Sequence, residues 1–209
     1  HLGVLPGDAV MGIAHTRWAT HGHPSTENAH PHLDCEGEIA VVHNGIIENF
    51  QELREELKSR GHRFRSQTDS EVVAHLVEER YEGDLLEAVR SALLEIEGAY
   101  ALVVMSSREP GVLVGARKDS PLVLGLGESE NLLASATPAL LDCTHRALAL
   151  ENGELARITR DSWKLVDLAG NRVEREPFEV PYDVTAVEKG GYADFMLKEI
   201  YEQPQAWRD

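Results

Sequence analysis

The seven residues His15 to His21, HTRWATH, place two histidines, two threonines, an arginine and a tryptophan side by side, more polar and aromatic functionality than an ordinary core strand carries. The Arg17 guanidinium is a planar fork that suits a carboxylate. Asp69, at the start of a stretch with helical periodicity, offers a negative group that suits an ammonium. Together the two would grip both charged ends of a free α-amino acid. Local chemistry equally allows Arg17 to pair with a structural carboxylate and Asp69 to do no more than stabilise a helix N-terminus. His21-Gly22-His23 and His30-Pro31-His32 form two H-x-H pairs of possible zinc ligands. No carboxylate or cysteine completes either pair at a usual spacing, so no metal is expected. Cys35 and Cys143 lie far apart and in no CxxC or metal-ligand pattern, and are expected to be reduced bystanders.

The elements that must position these residues follow from periodicity. GDAVMGIAHTRWAT reads as an extended segment that delivers HTRWATH at a strand end, with Gly22 and Pro24 stopping regular structure. EIAVVHNGII is a second β-rich run, ending in Asn44-Gly45, a dipeptide suited to positive φ and tight turns. From Asn49 the pattern is helical, with Phe50, Leu53 and Leu57 on one face and Gly61 at the C-terminal cap. A short strand-like HRFRS follows. Thr68 to Glu71 then has the capping-box spacing ahead of a second helix, and Asp84 opens a third, closed by Gly98. Beyond Gly98, seven strand-like runs separated by turns read as consecutive antiparallel hairpins. Helices layered on antiparallel strands make an α+β architecture. From Glu176 to Gly191 the chain reads as a linker, followed by a helix carrying Phe195, Leu197, Ile200 and Tyr201.

Composition bounds the function classes. With 209 residues and an apolar share of 42% the chain can bury a real core. Acidic residues outnumber basic ones 36 to 20, for a net charge of -16, which repels phosphate backbones and anionic membrane surfaces. Neither nucleic acid nor membrane is an expected partner. No apolar run is long enough to span a bilayer and the first residues lack a signal-peptide pattern, so the expected location is cytoplasmic. Both ends read as cut from a longer polypeptide.

HTRWATHG at 15–22, NAHPH at 28–32, VVHNGIIENF at 41–50, TDSEVVAHL at 68–76 and KEIYEQP at 198–204 occur in the order seen in glutamine:fructose-6-phosphate aminotransferases, the glucosamine-6-phosphate synthases. Over nearly its whole length the chain resembles their glutaminase domain. The resemblance implies an N-terminal nucleophile (Ntn) hydrolase fold, a four-layer αββα stack with two antiparallel sheets between helices. It implies a glutaminase domain over residues 1–175, without its N-terminal segment, and a linker and helix over 176–209 leading to an isomerase domain outside this sequence. In such enzymes an N-terminal cysteine attacks the side-chain amide of L-glutamine, with its own α-amino group as base. The released ammonia passes to fructose 6-phosphate, giving glucosamine 6-phosphate and glutamate.

Carried over by resemblance, Arg17 binds the glutamine α-carboxylate and Asp69 its α-amino group. Asn44 and Gly45 form the oxyanion hole, Thr20 and His21 line the pocket, and Trp18 is an aromatic beside it. His15, His43 and His75 are expected to be hydrogen-bonded structural histidines, and His30 to orient its loop. No cofactor is implied, and the full-length protein is expected to be a homodimer. Neither Cys35 nor Cys143 can replace an N-terminal cysteine, so the 209-residue polypeptide is expected not to hydrolyse glutamine. The alternative is a regulatory domain that binds glutamine or glutamate without turning it over.

Overall fold

The computed structural model describes residues 9–18, 20–180, 192 and 195–207. Its centre is a seven-stranded antiparallel sheet. The strands are β1 (His32–Leu33), β2 (Ile39–Ile47), β3 (Gly98–Ser106), β4 (Leu113–Lys118), β8 (Glu154–Ile158), β9 (Trp163–Asp167) and β10 (Arg172–Val173), in that spatial order. A four-stranded antiparallel sheet has the order β11 (Phe178–Glu179), β7 (Arg146–Ala149), β5 (Val123–Leu126) and β6 (Asn131–Ala134). The helices are α1 (Phe50–Ser59), α2 (Glu71–Arg80), α3 (Leu85–Leu93) and α4 (Phe195–Ala206). No described helix is long and apolar enough to cross a membrane.

The central strands are apolar on both faces because both faces are covered. Successive side chains of a strand point to opposite sides, so Tyr100, Leu102 and Val104 of β3 meet Leu53, Leu57, Val72, Leu76 and Leu85 from the helices. Ala101 and Val103 point the other way, onto Leu124, Leu126 and Leu148 of the second sheet. A 3-10 turn, Thr137–Leu140, packs Leu140 on Val123 and Ala147 at the outer face of that sheet, with Val180 beside them. Two antiparallel sheets with helices are therefore present, as expected.

Several local expectations are corrected. The strands after Gly98 are not all consecutive hairpins, since β4 pairs with β8 and β5 with both β6 and β7. The apolar β5 to β7 can only be buried by leaving the first sheet and stacking on it. Residues 9–18 form no strand, and neither does HRFRS, because no neighbouring ladder accepts them. Helix α3 ends at Leu93, capped at Leu94, and Gly98 instead opens β3. There its φ is +117° and a Cβ would sit 2.2 Å from the Ile46 carbonyl oxygen. Part of the supposed linker is a strand, with Phe178 and Glu179 paired to Ala147 and Arg146 of β7. Residues 181–191 of that linker, and the chain start over residues 1–8, lie outside the described residues.

Candidate active site

Asn44 and Gly45 do not end β2. The strand runs through them to Ile47, with Asn44 opposite Ala101 and Gly45 opposite Tyr100. Their expected turn is replaced by a local backbone twist within the strand. Gly45 has φ +127°, and a Cβ there would lie 2.1 Å from the Ala99 carbonyl oxygen. Both conformation and space therefore demand glycine at this point. The Asn44 side chain is exposed, and its Oδ1 is 2.8 Å from His15 Nε2. With Oδ1 engaged as acceptor, the Asn44 NH2 group is left as a donor without a partner among the described residues.

Arg17 belongs to the irregular segment that passes over this strand. Its guanidinium donates to the carbonyl oxygens of His21, of Gly22 at 3.0 Å and of His23 at 3.4 Å. No carboxylate pairs with it among the described residues, so its charge is solvated and oriented but not neutralised. The structural ion pair weighed for Arg17 is not formed among the described residues. The carbonyls that hold it belong to a loop fixed by Asn28, whose Nδ2 donates to His23 O at 2.9 Å and whose Oδ1 accepts the Gln67 N–H at 2.8 Å.

Asp69 is 3% exposed. Its Oδ2 accepts the Ile47 N–H at 2.8 Å, tying the start of α2 to the end of β2, and its Oδ1 lies 3.9 Å from His21 Nδ1. The capping box read from Thr68 to Glu71 is not formed. Ser70 is the N-cap without a side-chain cap bond, the Thr68 hydroxyl pairs with His32 Nε2 at 3.0 Å, and Glu71 accepts the N–H groups of Arg65 and Ser66 at 2.7 Å each. Tertiary donors outcompete the local cap, which leaves Asp69 free to face inward rather than act as a helix terminator.

These groups converge on a cavity of about 320 Å³ lined by Arg17, Trp18, Thr20, Asn44, Gly45 and Asp69, together with His15, His43 and Ser70. His21 is not part of its wall but touches it through Asp69 and packs against Phe50 with ring centroids 5.0 Å apart. Trp18 lines the mouth and is 90% exposed. A larger cavity, about 490 Å³, lies between Val10–Gly12 and Ser129–Leu132 and holds none of the expected site residues.

A column of imidazoles backs the site. His15 stacks on His30 at 4.2 Å between ring centroids, and His30 meets His32 edge-on at 4.6 Å. Burial, reinforced by neighbouring cationic groups, pushes His30 down to about 2. Burial pushes His32 down to about 4 against the pull of Glu71, and also lowers His43. Neutral His30 can then accept the His43 N–H on Nδ1 at 3.2 Å, the loop-orienting bond expected of it. His43 Nδ1 pairs in turn with Ser70 Oγ at 2.8 Å. His15 and Ser70 carried no expected part in the site. Their partners are 29 and 27 residues away in sequence, so no local pattern could have revealed them.

The arrangement pairs a free cationic group and a buried carboxylate with an amide donor between elements β2 and α2. Cys35 and Cys143 are both free thiols, and neither lines the cavity.

Comparison with known proteins places this geometry in context. The family model described as "Glutamine amidotransferase domain" matches residues 15–142, more than half of the chain. A glutamine–fructose-6-phosphate aminotransferase [isomerizing] of Thermus thermophilus is 56% identical over 203 residues, 97% of this chain and 33% of that protein. The protein of the same name from Methanothermobacter thermautotrophicus is also 56% identical, over 100% of this chain and 35% of its own length. The chain thus spans about a third of the length of the curated relatives it matches. Among solved structures, the glutamine phosphoribosylpyrophosphate (PRPP) amidotransferase from B. subtilis, complexed with ADP and GMP, superposes with a TM-score of 0.63 at 27% identity. That match covers 76% of this chain and 35% of that one. The expected Ntn-hydrolase type of fold agrees with this likeness. From a family match over most of the fold's first sheet and helices, the chain belongs to the glutamine amidotransferase domain family.

Proposed function

We propose that the cavity binds L-glutamine, with its α-carboxylate at Arg17 and its α-ammonium at Asp69, and that the chain is the glutaminase part of a glutamine:fructose-6-phosphate aminotransferase. The observation that carries this reading is the state of Arg17, held by three carbonyls with its charge uncancelled, in the wall of a cavity that also contains a buried Asp69. A zwitterion satisfies both. Thr20 lines the pocket around the substrate, His21 stands behind it beside Asp69, and Trp18 at the mouth covers it when the site closes.

In the proposed reaction a cysteine thiolate attacks the side-chain amide carbon, and the carbonyl electrons move onto oxygen. The Asn44 NH2 group and the Gly45 N–H stabilise that oxyanion, each donor contributing about 3 kcal/mol. The oxyanion collapses, the C–N bond breaks and ammonia departs with a proton from the α-amino group that served as base. Water then cleaves the thioester to give glutamate. The thiol in this scheme comes from an N-terminal cysteine ahead of residue 1, as the resemblance implies. Ammonia passes to fructose 6-phosphate on an isomerase domain, with residues 176–209 as the lead to it and the 1–175 unit as the glutaminase domain. The full-length protein is a cytoplasmic homodimer in this reading. Pairing of Phe178–Glu179 with β7 extends the glutaminase unit slightly beyond residue 175.

Titration calorimetry with L-glutamate tests the binding step. Arg17→Ala and Asp69→Asn each weaken binding about 30-fold or more, the equivalent of losing one charge-assisted contact of about 2 kcal/mol. Unchanged affinity in both variants would reject the site. A second reading is binding without turnover, for which Arg17, Asp69 and the Asn44–Gly45 pair around the cavity suffice. Ammonia release from glutamine by the full-length protein separates the two, since a pure binding module releases none.

A further inference from the structure

Further along α2 than the residues that line the glutamine cavity, four side chains from three chain segments bring their donor atoms together. Cys35 comes from the loop between β1 and β2, His62 from the loop after α1, and His75 and Glu78 from adjacent turns of α2. Their donor atoms all lie within 4.8 Å of one another. Cys35 Sγ is 3.5 Å from His62 Nδ1 and 3.6 Å from His75 Nδ1. The two Nδ1 atoms are 3.3 Å apart. Glu78 Oε2 is 3.0 Å from His62 Nδ1 and 3.2 Å from His75 Nδ1.

These five separations match edges of a metal-sized tetrahedron, and the sixth, between sulfur and carboxylate oxygen, is within 4.8 Å. With zinc–sulfur bonds of about 2.3 Å and zinc–nitrogen bonds of about 2.05 Å at tetrahedral angles, the S–N edge is about 3.5 Å and the N–N edge about 3.3 Å. Proton accounting points the same way. His62 Nε2 faces Glu79 Oε1 at 3.2 Å, and the nearest carboxylate oxygen to His75 Nε2 is Glu71 Oε1 at 3.8 Å. A His62 ring that donates from Nε2 to Glu79 turns a bare Nδ1 lone pair inward, and His75 Nδ1 faces the same carboxylate oxygen and sulfur. Lone pairs converging in this way need a cation between them.

We propose that Cys35, His62, His75 and Glu78 bind one Zn²⁺ ion as a closed, structural site. A thiolate and a carboxylate balance the ion's two charges, and the mixed sulfur, nitrogen and oxygen set suits zinc. Glu79 is the outer partner that orients His62, and is itself paired with Arg60 at 2.6 Å. The nearby Arg63 is likewise offset by Glu36 at 3.6 Å, so neither of these arginines competes with the metal. An opening lined by Cys35, Glu36, Arg60, Gly61, His62, Arg63 and Glu78 gives the ion access from solvent. All four ligands occupy positions with no part in the glutamine-binding reading, so this inference stands or falls separately from it. The ion's structural effect is to pin two loops to the middle of α2.

The test uses the full-length polypeptide without a histidine tag, loaded with zinc, passed through gel filtration in metal-free buffer and measured by inductively coupled plasma mass spectrometry. One zinc per chain is expected. Cys35→Ser and His62→Ala should each lower that content at least tenfold, while His23→Ala, in the H-x-H pair, keeps it. Cobalt(II) replacing zinc should show a thiolate-to-metal charge-transfer band that Cys35→Ser abolishes. Wild-type protein that retains less than about a tenth of an ion per chain, or ligand variants that retain the wild-type content, would overturn the site. Should the ligand variants fail to fold, Glu79→Gln leaves all four ligands in place and is expected to weaken zinc about 10- to 100-fold in chelator competition. Chelation of the wild-type protein should also lower Tm by several degrees, with zinc restoring it. A Tm indifferent to both additions would count equally against the site.

Discussion

The contact between His15 Nε2 and Asn44 Oδ1, at 2.8 Å, decides which end of the Asn44 amide is available to a substrate. An amide free to rotate by half a turn would present its oxygen to a developing oxyanion as often as its NH2 group, repelling the charge it should stabilise. His15 in turn is held flat against His30. In the proposed glutaminase reaction Asn44→Ala therefore lowers kcat about 100- to 1,000-fold. His15→Ala lowers kcat by a smaller factor, about tenfold, with little change in KM, because His15 orients the donor without meeting the substrate. Steady-state kinetics of the full-length protein read both, and a His15→Ala variant whose loss is all in KM would show that His15 contacts glutamine instead. Gly45→Ala fails earlier, at folding, since its methyl would overlap the Ala99 carbonyl. A soluble Gly45→Ala protein with wild-type Tm would refute that steric claim. The sequence pattern picked out Asn44-Gly45 as special through its tolerance of positive φ. It could not distinguish a turn from a twist inside a strand, because that depends on the partner strand at Ala99 and Tyr100.

Helix α2 connects the two sites, and its residues are buried on nearly every side. It can afford charged residues at its start only because each is satisfied by other elements. Burial alone would raise the Glu71 carboxyl. The His75 ring, 3.8 Å away, and hydrogen bonds from the Ser66 hydroxyl and the Arg65 and Ser66 N–H groups override it and leave Glu71 at about 2. Arg54, with its guanidinium 3.4 Å from Glu71 and 4.6 Å from the centre of the Phe64 ring, completes the arrangement. Glu71→Gln removes the charge but keeps the shape, leaving Arg54 its carbonyl partners at Ser66 and Thr68 but no ion pair, and one backbone donor facing an NH2 group. The expected loss is about 2 to 3 kcal/mol in chemical denaturation, and a change below about 0.5 kcal/mol would mean the carboxylate is not the hub described. Elements of this kind were legible where their own residues decide them: α1 and α3 follow from apolar spacing, and each strand after Gly98 from its apolar run. What periodicity left unread was partner choice. The β4 to β8 pairing and the diversion of Glu71 from a capping box to the 65–66 backbone are set by which buried donors lack other acceptors.

At the scale of the whole molecule both candidate sites are products of assembly, and this limits what sequence could disclose. Arg17 and Asp69 carried a local chemical meaning, but only family resemblance joined them to Asn44 and Gly45. The Cys35 cluster had no readable spacing because its ligands are separated by 27, 13 and 3 residues and meet only once β1, α1 and α2 are packed. The same packing encloses His30 and His32, and this has a measurable consequence in acid. An unfolded histidine titrates near 6.5, whereas burial holds His32 at about 4 and His30 at about 2 in the native state. As pH falls below about 6.5 the unfolded chain takes up protons that the native chain refuses. Stability therefore rises with pH in this window and is lost progressively as pH drops toward about 4. The Glu71 carboxylate adds its own loss only lower, from the ordinary carboxylate range down to about 2, so the upper window belongs to histidines. His32→Gln keeps a side-chain amide near the Thr68 hydroxyl but cannot be protonated. Thermal unfolding followed between about pH 7.5 and 4.5 should show a steep decline of Tm below about pH 6.5 in the parent protein and a shallower one in His32→Gln. Parallel curves for the two proteins would mean that His32 takes up its proton without unfolding, and that the loop it supports opens locally to let it do so.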